Sequence, residues 1–214
     1  TGAVFMWTFI SIFVLLAGSG AIVWYYAKEF DISRRAGASE TGFAAQDFMD
    51  AAVITPSMRA TGWYFMLVAA LFVVQVLLGM VTAHYAVEGQ GIYGLPFAEY
   101  FPYAVTRTWH TQLAILWIAT AWLATGLYVG PLLGGREPKF QAAGVWFLLI
   151  SLVVIVAGSF IGEWSAVNRL IADATQNFWF GHQGYEFLDL GRFWQIYLFI
   201  GLLLWVVLVL RGMW

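Results

Sequence analysis

Apolar residues dominate five stretches of the chain, each about as long as the 20 residues a helix needs to cross a bilayer at 1.5 Å per residue. They run roughly over 3–27 (AVFMWTFISIFVLLAGSGAIVWYYA), 62–85, 105–130, 142–163 and 193–212. None alternates apolar and polar residues as a strand does, and no series of short strands is present, so the pattern argues against a barrel. It predicts an all-α, polytopic transmembrane helix bundle of five spans in one membrane domain, 1–214. Gly18, Ser19 and Gly20 suit close helix packing, although small residues are common in any membrane helix.

Composition agrees. The chain is 62% hydrophobic and 10% charged, where a soluble domain is nearer half and a quarter. A net charge of −2 offers no basic patch, which excludes nucleic acid as an expected partner. With no cysteine, disulfides, thiolate metal sites and cysteine catalysis are excluded. The sequence opens at Thr1 and enters an apolar stretch with no basic leader, so a signal peptide is not expected and a segment of a longer polypeptide is.

Charge in the connections predicts orientation. Lys28, Arg34, Arg35 and Arg59 precede the second span, Arg136 and Lys139 follow the third, and Arg211 ends the fifth. These seven basic residues face three on the other side, Arg107, Arg169 and Arg192. The positive-inside rule then sets the N-terminus outside and the C-terminus inside. All three histidines, His84, His110 and His182, fall at or near the outer face, with Arg107, Glu88, Glu186 and Asp189.

Candidate chemistry begins with RTWHTQLAILW, 107–117. If the third span starts near Val105, His110 lies about 8 Å along it, inside the apolar layer. A neutral imidazole there can ligate haem iron, and Arg107, one helical turn nearer water, suits haem propionates. The alternative is a histidine bonded to a neighbouring helix, with Arg107 reaching toward headgroups. His84 and Glu88, in AHYAVEG, stand at i,i+4. An imidazole beside a carboxylate can take protons from a hydroxyl-bearing substrate such as a quinol, or be only a solvated ion pair at a helix end. In NFWFGHQGYEFLDLGRFWQ, 177–195, Glu186 and Asp189 at i,i+3 suit a cation or a hydrogen-bond network, or capping of the fifth span. His182 reads as an interfacial hydrogen-bonding group ahead of an iron ligand.

Taken together, RTWHTQLAILW, AHYAVEG and FWFGHQGYEFLDLGRFW resemble the quinol-dependent nitric oxide reductases of the haem–copper oxidase superfamily. TPSMRA at 55–60 and EPKFQ at 137–141 are similar to connectors in that family, so the resemblance covers essentially the whole chain. It implies the early part of the membrane domain of a haem–copper-oxidase-like fold in a bacterial cytoplasmic membrane. His110 matches an axial ligand of low-spin haem b, and Arg107 the arginine near the propionates. His84 and Glu88 match the quinol pair. Glu186 and Asp189 match an acidic pair near the propionates, holding calcium or water.

The resemblance also implies high-spin haem b3 and non-haem iron in the complete protein. Their ligands reside on later helices, so this chain contains no catalytic iron site of its own. The implied function is electron entry into reduction of NO to N2O. Quinol, the lipid bilayer, the remaining helices of the same enzyme and a homodimer are the expected partners. Three other readings stay open: a nitric oxide dismutase type, a cytochrome-c-dependent reductase, and a non-catalytic membrane anchor without haem.

Overall fold

The computed structural model describes residues 53–89, 95–183 and 189–214, with scattered helical positions between 10 and 28. Residues 1–51 and 52–214 are separate compact units. The first predicted span, 3–27, therefore lies largely outside the described residues, and the fold below is that of the second unit. In chain order it contains α1 (Pro56–Glu88), α2 (Phe97–Tyr100), α3 (Tyr103–Gly134), α4 (Gln141–Val167), α5 (Ala174–Phe180), β1 (His182–Gln183), β2 (Asp189–Leu190) and α6 (Arg192–Met213). Four of these, α1, α3, α4 and α6, are long and apolar enough to cross a membrane. The unit is an all-α transmembrane bundle.

Each long helix outruns its predicted apolar core, because the boundaries are set by backbone chemistry and not by hydropathy. α1 begins six residues before position 62: the Thr55 hydroxyl accepts from Met58 N at 3.3 Å, and Pro56 supplies the fixed φ of a first helical residue. α3 continues past Pro131 and stops at Gly135, whose φ of 65° is left-handed. The fourth connection is more ordered than a plain loop. It carries α5, capped by Asp173 Oδ2 on Gln176 N at 2.8 Å, and a two-residue antiparallel ladder pairing His182 with Leu190.

α3 is the central helix, packed mainly on α1 and then on α6, while α4 bridges α6 and α1. One buried cluster joins Tyr64, Ala124, Leu127, Val145, Leu148 and Leu208 from all four spans. Glycine allows the closest approach. A side chain at Gly134 would collide with the Gly212 carbonyl, so α3 and α6 meet backbone to backbone near their ends, as small residues permit in lipid.

Several polar groups inside the spans bond across or along the helices, as an apolar medium favours. The Tyr64 hydroxyl donates to the Val145 carbonyl at 2.6 Å, Gln141 Nε2 to the Leu208 carbonyl at 2.7 Å, and Trp205 Nε1 to the Leu123 carbonyl at 2.9 Å. Buried Thr61 and Thr120 bond back to carbonyls of their own helices.

The two ends of the bundle differ in chemistry. At one end Arg211 donates to the Lys139 carbonyl at 2.9 Å and Ser57 N donates to Glu137 Oε1 at 3.1 Å. These bonds bring the start of α1, the α3–α4 turn and the end of α6 together. At the other end Tyr85 donates to the Phe101 carbonyl and Trp164 Nε1 to the Tyr100 carbonyl, closing the turn between α1 and α3 over the end of α4. His84, Glu88, His110, His182 and Asp189 belong to this second end.

Candidate functional site

His110 is on α3, part-buried, with its ring against α1. Nδ1 lies 2.8 Å from the backbone carbonyl of Gln75. A carbonyl can only accept, so Nδ1 carries the proton and Nε2 keeps its lone pair in the neutral ring. This is the arrangement that orients a metal-ligating imidazole and fixes its tautomer. Room for the ring comes from Gly79, one turn further along α1 from Gln75: a Cβ there would stand 2.6 Å from His110 Cε1 and 2.9 Å from Nδ1. The Gln75 side chain is engaged too, accepting from Trp117 Nε1 at 2.6 Å. Backbone carbonyl, absent side chain and indole together hold the imidazole in one pose. A donor seated this way fits a haem iron on Nε2.

Arg107 is part-buried three residues before His110, nearer the start of α3, and its carbonyl accepts from Thr111 Oγ1 at 3.0 Å. The helix therefore carries cation and imidazole on one stripe, cation toward the interface.

α1 stays helical to Glu88, so His84 and Glu88 do share a face. His84 Nδ1 is 3.2 Å from Glu88 Oε2, with the imidazole 16% and the carboxylate 64% exposed. In the tautomer donating Nδ1–H to Glu88, Nε2 is the acceptor. A mostly enclosed base is thus paired with a carboxylate open to the surroundings. Gly89, with a φ of 87°, ends the helix immediately after.

In the fourth connection one acidic candidate is described and the other is not. Asp189 is exposed on β2, opposite Gln183. Glu186 lies outside the described residues. The helix that follows has Gly191 as its N-cap. His182 is part-buried on β1, its backbone N–H donating to Asn177 Oδ1 at 3.3 Å, and burial pushes its imidazole below the ordinary histidine value.

Three positions went unread in the sequence. Gln75 and Gly79 matter through a carbonyl and a missing Cβ, which no side-chain pattern signals. Glu163 had a signal, a lone carboxylate inside the apolar run SFIGEWSAV, but it coincided with the predicted end of the span. It is 1% exposed, at the contact between α4 and α3. Among the described residues no group of three or more histidines and carboxylates gathers at metal-binding distance.

These features define a class: a polytopic membrane bundle that carries an oriented imidazole, a histidine–carboxylate pair and a cation near one end. The family described as Cytochrome C and Quinol oxidase polypeptide I matches residues 59–214. The chain belongs to that family of haem-binding membrane oxidoreductases, the subunit I family of the haem–copper oxidases. No curated protein matches it.

Proposed function

We propose that this chain is the electron-entry part of a quinol-oxidising nitric oxide reductase, set in a bacterial cytoplasmic membrane with the His110 end outward. The overall reaction joins two NO, two electrons and two protons to give N2O and water. The observation that carries the reading is the seating of His110, with Nδ1 bonded to the Gln75 carbonyl and Gly79 clearing its ring.

In this reading His110 Nε2 would hold the iron of low-spin haem b, which when bound would supply a one-electron acceptor. Arg107 offsets propionate charge. Asp189, with Glu186, stands in the network beside the propionates, where calcium or water binds. His84 Nε2 takes a proton from a quinol hydroxyl. Glu88, at 3.2 Å from Nδ1, stabilises the imidazolium that forms and passes the proton toward water through its exposed carboxylate. The high-spin haem b3 and the non-haem iron belong to other helices of the complete protein.

The test is donor-specific turnover of the complete protein. Glu88→Gln lowers quinol-driven NO consumption by about 100- to 10,000-fold, the range for loss of a general acid–base group, and leaves reduction by an artificial electron donor unchanged. Equal loss with both donors would refute the quinol assignment. A wild-type protein that consumes no NO with any donor would refute the reductase reading.

A further inference from the structure

Glu163 is a carboxyl inside the bundle. It is 1% exposed, the hydroxyl of Thr108 and the amide of Gln112 lie beside it without well-formed hydrogen bonds to either carboxyl oxygen, and among the described residues no cation pairs with it. Its polar neighbours are Thr108 and Gln112, four residues apart and hence on one face of α3. Trp109 stacks on Phe160 of α4 at 4.8 Å, and its indole Nε1, also buried, has no partner either. Donor and acceptor capacity is therefore left over on both sides of one helix–helix contact.

Burying a bare carboxylate in an apolar interior is far costlier than burying a neutral acid, and buried polar atoms in native proteins are satisfied by protein or by ordered water. We infer that Glu163 is an internal proton site: a neutral carboxyl in a water-holding pocket between α3 and α4. Its ligands are water and the proton itself. The carboxyl O–H donates to water, and the remaining oxygen accepts from it.

The position gives the site a use, which rests on the haem reading of His110. Thr108 and Gln112 flank His110 by two residues each way, so Glu163 is at the same depth on the opposite side of α3. One helix diameter, about 10 Å, separates the two faces. An electron arriving at the His110 side adds one negative charge at that distance. At an effective dielectric of about 20, this tightens the hold on the Glu163 proton by roughly tenfold.

Infrared spectroscopy of the complete protein tests both statements. In the difference between wild type and Glu163→Gln, a protonated-carboxyl C=O band should be present without any redox change, and should move down in D2O because water reaches it. Absence of the band means an ionised Glu163 and overturns the proton site. A band unmoved by D2O means a dry pocket and overturns the water. Should Glu163→Gln fail to fold, Glu163→Asp keeps the acid and displaces the band, and an undisplaced band would equally overturn the assignment.

The redox arm is separate. Haem reduction should shift the band in the wild type, and an unshifted band overturns the coupling alone. A wild type with no haem spectrum defeats the haem reading while the static band still decides the proton site.

Discussion

Gly79→Ala separates the site from the fold, because the substitution helps one and harms the other. In a helix interior alanine is favoured over glycine by about 1 kcal/mol, so α1 itself gains. The new Cβ would stand 2.6 Å from His110 Cε1, where ordinary contact begins at 3.4 Å. The ring must retreat by about 1 Å, twice the tolerance of roughly 0.5 Å for a ligating group. That movement also breaks or stretches the 2.8 Å bond from Nδ1 to the Gln75 carbonyl. Loss of such a supporting bond costs about 10- to 100-fold in metal affinity, or about 1.4 to 2.7 kcal/mol. The assay is the absorbance of low-spin haem b per mole of complete protein, titrated with haem. Gly62→Ala on the same helix is the control, since a Cβ there meets nothing within 4 Å. Weakened haem binding in Gly79→Ala alone is the expected result. If the two variants titrate alike, the cradle argument is wrong.

Three further outcomes follow from individual contacts. Gln75→Leu strips the acceptor from Trp117 Nε1 and should cost about 1–3 kcal/mol in thermal unfolding, a loss largely absent in a Trp117→Phe background. Tyr64→Phe removes the buried bond to the Val145 carbonyl and should destabilise by about 1 kcal/mol without altering any haem spectrum. His182 is held below its ordinary value of about 6.5, so the β1–β2 ladder keeps its full stability above that value, where the ring is neutral folded or unfolded. Below it the opened loop takes up the proton more readily, and stability falls with pH. Protection factors of the amides at 181–183, taken against the intrinsic exchange rate at each pH, should fall on acidification, and His182→Gln should abolish the dependence.

How much of this was legible beforehand depended on the kind of signal. The four described spans were plain in the apolar runs, and the i,i+4 relation of His84 and Glu88 needed only that α1 continue to its end. Ends were harder: the cap at Thr55 and the proline after it were present as residues but lay outside the hydropathy pattern. His110 and Arg107 could be placed on one stripe, yet the groups that seat the imidazole are a carbonyl 35 positions away and an absent side chain. Sequence spacing carries neither. For Asp189 the spacing said nothing of its setting, which is a short ladder opposite Gln183. Glu163 was hidden by its place at the edge of an apolar run, where a carboxylate reads as the start of a loop and not as a buried group.

The claim that most needs direct measurement is coordination by His110. In the complete protein, the reduced-minus-oxidised visible spectrum of His110→Gly should lack the low-spin b-type band, and added imidazole should restore part of it. A full low-spin band in the variant without imidazole would contradict the account.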